Sequence, residues 1–314
     1  MAPIQSSLMA ALLLGLACAP AQAAGEELFV YRGPGCTGRD RLPSFIALAG
    51  RAPDGVTDFT ERSSWQNMLN SLNWSSSCWA RTNYRVSQAV PMLLDHGTTL
   101  REGASGAYDQ YFAQFGRLLV SKGKGNAYLR IGWEFNGDWY AWSAAKDPEA
   151  FVQYFRRLVG IFRAVHGQRF QIVWNPSAGT NKIAPDLVYP GDDVVDVIGL
   201  DMYNTSWRKE DADPQERWRN HLTQPYSLNW LREFAARHNK PIALPEWGTG
   251  TSPNGQGQGD DPTYIRRVAQ WIKANNVVYQ AYWDYPASDF NAELSGGRQP
   301  LSANAFREVF GRAR

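Results

Sequence analysis

The chain has 314 residues, 44% hydrophobic and 20% charged, with a formal net charge of +2. That is the balance of a globular protein and gives no reason to expect nucleic acid or an anionic membrane as partner. The sequence has no basic cluster, phosphate loop or zinc-ligand spacing. Its four histidines (His96, His166, His221, His238) stand apart, with no two at metal-ligand spacing, so no metal is expected.

Residues 1–24 carry an apolar run, Leu8 to Ala17, followed by the small-residue site Ala21-Gln22-Ala23. That layout predicts a secretory signal peptide cut near Ala23, and hence a secreted or periplasmic protein. The run is too short to span a membrane permanently. Cys18 raises a lipid anchor as the alternative. The mature chain, 25–314, keeps Cys36 and Cys78. An even pair in an exported protein reads as one disulfide, the alternative being two buried thiols. Closing a loop of about 42 residues, it would contribute about 4 kcal/mol.

Short apolar runs then alternate with segments of helical period. Strands are expected at 44–50, loosely within 72–80, and at 88–94, 127–135, 170–177, 195–203, 241–248 and 277–285. The runs are β-branched and aromatic, as in strands buried on both faces. A helix with Tyr108, Phe112, Phe115 and Leu119 on one face stops at Gly123. The next opens at Asp147-Pro148-Glu149, buries Phe151, Phe155, Leu158 and Phe162, and ends at Gly167. Leu228, Leu231 and Phe234 mark another, and Asp261-Pro262 opens one more. The Gly-rich stretch 248–262 resembles a linker in composition. Its strand-to-helix position makes it a mobile loop at a site mouth instead.

Repeated β-α units without a composition break fit a doubly wound sheet or a barrel. No Gly-x-Gly-x-x-Gly turn follows a strand, and about eight strands fit a single-domain (β/α)8 TIM barrel. Residues at the carboxyl ends of barrel strands face the site. There the chain offers Glu134, Asn175, Asp201 with Tyr203, Glu246 with Trp247, and Trp283 with Asp284. An unpaired buried glutamate costs several kcal/mol, so two of them call for a reason. Strand counting puts Glu134 on the fourth strand and Glu246 on the seventh, across the mouth. Two carboxylates across a cleft suit glycoside hydrolysis, one acid protonating the leaving oxygen and one anion attacking the anomeric carbon. Trp133 and Trp139 would raise the pKa of Glu134 by desolvation, and Tyr203 could donate to Glu246. Arg130 is a possible partner of a glutamate, one layer deeper on the face of Glu134. The 13 Trp are either stacking platforms for sugar rings or aromatic packing.

The segment "RIGWEFNGDWYAW" (130–142) resembles the acid/base segment of glycoside hydrolase family 26, Arg-x-x-[His or Trp]-Glu-x-Asn-Gly-x-Trp-Tyr-x-Trp. "VDVIGLDMYN", "KPIALPEWG" and "YWDY" are similar to its sixth, seventh and eighth strands. The likeness covers about 85–290. It implies a (β/α)8 barrel of retaining endo-acting β-glycanases, mostly mannanases, working without cofactor. It also implies Glu134 as acid/base, Glu246 as nucleophile, Tyr203 bonded to the nucleophile and Trp283 stacking at the cleavage subsite. Trp133, Asn136, Trp139, Tyr140, Trp142, Asn175 and Trp247 join the expected sugar-binding set, with Arg130 and Asp201 in support.

Mannan-cleaving members usually have His before the acid, where this chain has Trp133. The expected substrate is therefore a β-linked polysaccharide, β-mannan first and mixed-linkage β-glucan second. The polar segment 204–227 adds Trp207 and Trp218, with several charges, to a cleft wall; a bacterial exopolysaccharide fits those charges, as does plain solvation. Two rival functions remain: a non-catalytic carbohydrate-binding barrel, and a transglycosylase. The protein is expected to be a monomer.

Overall fold

A computed structural model describes residues 26–311. The expected signal peptide, Ala23 and Cys18 lie outside the described residues. Eight parallel strands close into a barrel in chain order: β1 (Glu27–Tyr31), β2 (Gly55–Asp58), β3 (Arg85–Val90), β4 (Tyr128–Ile131), β5 (Gln171–Trp174), β6 (Val197–Tyr203), β7 (Ile242–Gly248) and β8 (Val277–Trp283). The helices α1 (Gly35–Ala49), α2 (Trp65–Trp79), α3 (Leu100–Ser105), α4 (Asp109–Ser121), α5 (Pro148–Arg163), α6 (Pro214–Thr223), α7 (Leu228–Arg237), α8 (Pro262–Ala274) and α9 (Pro300–Phe310) connect and surround them. This is a single-domain (β/α)8 barrel.

The helix signals act as their chemistry requires. Asp147 and Asp261 accept the amides of Ala150 and Tyr264, capping α5 and α8, each of which has proline in its first turn. The first two strands differ from expectation. Residues 44–50 form the end of α1, where Leu42, Phe45 and Ala49 share its buried face and Gly50, at φ 76°, closes it. Residues 72–80 fall within α2 and its cap. The true β1 and β2 have five and four residues. The strand expected at 88–94 runs earlier, over β3. The fourth and seventh strands nevertheless keep their numbers.

The barrel floor is filled by Phe29, Tyr128, Val173, Val197, Ala243, Tyr279 and Ala281. Phe29, Tyr128 and Tyr279 pack ring against ring, and the Arg85 guanidinium lies 3.6 Å from the Tyr128 centroid. Two residues above Tyr128 on β4, Arg130 points the same way, toward the mouth. The pairing of β6 with β7 shifts register between Gly199 and Asp201, and that of β7 with β8 between Leu244 and Trp247. Pro245 sits in that irregular stretch, where its missing N–H is tolerated. A Cβ at Gly199 would lie 2.8 Å from Pro245 Cγ, so glycine makes room for the kink that aims Glu246. Among the described residues no helix is long and apolar enough to cross a membrane.

Candidate active site

Strand β4 stops at Ile131, before Glu134. Gly132 (φ 56°) and Glu134 (φ 53°) both adopt the left-handed backbone. For a glutamate that costs free energy and occurs mostly where surrounding contacts enforce it. Here the enforcing contacts are the Glu134 amide donating to the Asn175 carbonyl at 2.7 Å and the Gly137 amide returning to the Glu134 carbonyl at 3.1 Å. A Cβ at Gly132 would come within 2.4 Å of Met92 Sδ, so the turn also needs that glycine. Glu134 thus projects from a tight turn. The expectation that it continues the face of Arg130 along one strand does not hold.

Arg130 is fully buried and belongs to the other glutamate. Its Nη2 donates to Asp201 Oδ2 and to Glu246 Oε1, each at 2.6 Å, while Nε donates to Asn175 Oδ1 at 2.7 Å. The second oxygen of Glu246 accepts from the Tyr203 hydroxyl at 2.8 Å. Burial opposes the guanidinium charge, but Asp201 and Glu246 outweigh it and hold Arg130 more firmly protonated than usual. Burial pushes the Tyr203 hydroxyl well above its ordinary range, helped by the charges of Glu246 and Asp201, so it stays a donor. Burial likewise raises the carboxyl of Asp201, against the pull of Arg130.

Glu134 receives the Trp139 indole N–H on Oε2 at 2.8 Å. Burial, reinforced by the charge of Glu246, raises its pKa from 4.5 to about 7, against the lowering effect of the hydrogen bonds from Trp139 and Ser177. The site therefore sets a carboxyl that keeps its proton near neutrality against one gripped on both oxygens by donors.

Aromatic rings wall the mouth. Trp283, ending β8, stacks on Tyr31 with centroids 4.2 Å apart and meets Tyr203 and Phe59 edge-on. Trp133 donates to the Tyr140 hydroxyl at 3.0 Å and packs on Phe59 and Trp142. Trp139 is half exposed on the rim. Trp207, on the segment after β6, is 71% exposed.

Five expected sugar contacts lie beneath this surface instead, Trp133 among them at 2% exposed. Trp142 is fully buried and donates to the Trp133 carbonyl at 2.9 Å. Trp247 faces outward under α8 and α9, packed on Tyr264, Tyr282 and Phe306, with its indole N–H on Gln280. That follows from strand alternation, because Glu246 before it takes the inward side. Asn136 is buried and exchanges hydrogen bonds with the main chain of Ser177, tying the turn of Glu134 to the chain after β5. Asn175 holds Arg130 with its side chain and Glu134 with its carbonyl.

Segment 204–227 is more ordered than a solvated loop: α6 lies in it. Arg208 pairs with Asp211, Arg217 pairs with Asp261 at 2.7 Å, and Trp218 is half-buried near Tyr264. Loop 248–262 is stitched to it by the Ser206 amide on the Gln256 carbonyl and the Gln258 amide on the Asn204 carbonyl. Cys36 and Cys78 are bridged, with Cα atoms 5.1 Å apart. His221 is buried, and burial drops its pKa to about 4. Among the described residues no group of His, Cys, Asp and Glu could hold a metal. Sequence reasoning missed Asp58, Phe59, Tyr31 and Ser177. The first three end β1 and β2 or follow directly, the two strands that lack a long apolar run.

Residues 126–238 match the model of "Glycosyl hydrolase family 26". The match takes in the turn of Glu134 and stops before β7. Endoglucanase H of Acetivibrio thermocellus is 25% identical over 86% of this chain and 29% of its own length. The mannan endo-1,4-beta-mannosidase of Bacillus subtilis is 26% identical over 55% of this chain and 42% of its own. The chain thus spans under half the length of both relatives. Among solved structures, the Bacillus subtilis mannanase man26 shares the fold, with a TM-score of 0.61 at 14% identity over 87% of this chain and 85% of that one. The shared barrel, the matched segment around Glu134 and relatives spread along the chain make this chain similar to glycosyl hydrolase family 26, whose model it matches over residues 126–238.

Proposed function

We propose that the protein is a retaining, endo-acting glycoside hydrolase that cleaves a β-linked polysaccharide. Glu134 is the acid/base and Glu246 the nucleophile. The carrying observation is the contrast between them. Glu134 sits where burial lifts its pKa to about 7. Glu246 has Arg130 on one oxygen and Tyr203 on the other. A proton held near neutrality can pass to a leaving oxygen. A carboxylate positioned by two donors can attack the anomeric carbon and later leave it.

In the first step Glu246 forms a bond to the anomeric carbon while Glu134 protonates the departing oxygen. In the second Glu134, now the base, takes a proton from water, which displaces Glu246. The ester bond to the anomeric carbon leaves Glu246 uncharged after the first step, so Glu134 is then free of its repulsion and better able to ionise. Trp283 and Trp139 offer faces on which pyranose rings stack.

The sugar is a β-glycan with β-mannan and mixed-linkage β-glucan as leading candidates. The relatives' names divide between an endoglucanase and a mannanase. Trp133 donates to Tyr140 and has no acceptor for a sugar hydroxyl. This weighs against plain mannan. Secretion through residues 1–24 belongs to the same reading. The test is to incubate the enzyme with mannan, glucomannan, mixed-linkage glucan and xylan and to size the products. Early oligosaccharides from at least one polymer, lost in Glu246→Ala, are expected. Monosaccharide as the sole early product contradicts endo action, and fast cleavage of unsubstituted mannan contradicts the inference from Trp133.

A further inference from the structure

Asp58 ends β2 with its carboxyl fully buried, away from the two glutamates. Its Oδ1 accepts the amide of the next residue, Phe59, at 2.8 Å. Its Oδ2 accepts the indole N–H of Trp79 at 2.6 Å and the amide of Gly35 at 3.0 Å. Gly35 opens α1, whose preceding residue, Pro34, supplies no side-chain cap, so Asp58 takes that part from another strand. The two donors flank the cysteines in sequence: Gly35 precedes Cys36 and Trp79 follows Cys78, and those cysteines are bonded. The fit between α1 and α2 is tight, since a Cβ at Gly35 would lie 2.6 Å from the Trp74 ring.

Phe59, which Asp58 holds by the amide, is the ring on which the site's parts meet. It is edge-on to Tyr31 at 5.1 Å, Trp133 at 5.5 Å and Trp283 at 5.7 Å, and the Arg130 guanidinium lies 5.7 Å from its centroid. Trp133 immediately precedes Glu134, and Arg130 grips Glu246. A shift of Phe59 would therefore reach both glutamates and the Trp283 platform.

We propose that Asp58 is a positioning residue of this active site: it fixes Phe59 against Trp133, Trp283 and Arg130, and the Cys36–Cys78 bridge holds its two donors in place. The inference rests on the hydrolase reading for its kinetic consequence, though not for its structural one. A carboxylate suits the task because three N–H donors converge on it, which an amide, with one acceptor oxygen, cannot serve. Its burial without a cation is the cost, seen in a pKa raised to about 6.

The test compares wild type with Asp58→Asn, Phe59→Leu, their double variant, and Cys36→Ser/Cys78→Ser. Each is labelled with 5-fluorotryptophan and assayed on the best polymer of the panel. The fluorine signals of Trp133 and Trp283, assigned by single Trp→Phe variants, should shift in Asp58→Asn and in the cysteine variant. The ratio kcat/KM should fall about tenfold in Asp58→Asn, as misplacement of reacting groups does, and the alkaline limb of its pH profile should move. Phe59→Leu should lose a similar factor, and the double variant little more, because both act through one ring. A lowered melting temperature with unchanged fluorine signals, kcat, KM and pH limb would overturn the proposal. Should Asp58→Asn not fold, the cysteine variant carries the same prediction, and unmoved Trp133 and Trp283 signals in it overturn the proposal. If the wild type cleaves no glycan, the hydrolase reading fails, while the fluorine signals still decide the positioning claim.

Discussion

Glu134 is a half-buried carboxyl whose chemistry departs from its ordinary state. Its folded pKa of about 7 stands above the unfolded 4.5. A carboxyl shifted upward stabilises the fold only while it is protonated. Its contribution is complete below about pH 4.5 and is lost as pH rises through about 7. Glu134→Gln should therefore match wild type in stability near pH 4 and exceed it at about pH 8 by up to about 3 kcal/mol, read by denaturant titration. Equal stabilities at both pH values would mean that burial does not raise the group. Trp139 supplies a hydrogen bond that opposes the shift. Trp139→Phe should move the alkaline limb of kcat/KM to higher pH and raise KM, since the half-exposed ring also offers a stacking face.

At the scale of elements, β6 and β7 aim Glu246 through their register shifts. A Cβ at Gly199 would press on Pro245 at 2.8 Å and on Val173 Cγ1 at 3.1 Å. Gly199→Ala should destabilise by about 1–3 kcal/mol and lower kcat more than it raises KM, measured by melting and steady-state kinetics. Unchanged kcat would show that the irregular pairing does not set Glu246. The same elements show what could be read from sequence. The strands from β3 to β8 carry long apolar runs bounded by turn residues and capped helices, and six of the eight were legible. Gly55–Asp58, buried on both faces, has a single apolar side chain, Val56, and no alternation. The apolar end of α1 is longer and mimics a strand. Glu134 and Glu246 stand out in the sequence because a carboxylate after an apolar run has few structural uses. Whether Asn136, Asn175, Trp142 and Trp247 face the cleft or the layer beneath depends on two left-handed residues and a register shift, which leave almost no local mark.

Over the whole molecule, the Cys36–Cys78 bridge joins α1 to α2 next to the first two strands, while the barrel closes through β1 and β8. Reduction should lower stability by about 4 kcal/mol without dissolving the barrel, which a denaturant titration with and without reductant would read. Two free thiols counted in oxidised native protein would contradict the bridge. The barrel matters to function because it sets two glutamates from strands three apart against each other in unlike surroundings. That claim is tested most directly with Glu134→Ala on an aryl β-glycoside whose leaving group needs little protonation. The account predicts slow release of sugar that azide accelerates, with a β-glycosyl azide identified by proton NMR. An α-glycosyl azide, or no rescue with Glu246→Ala behaving the same way, would contradict it.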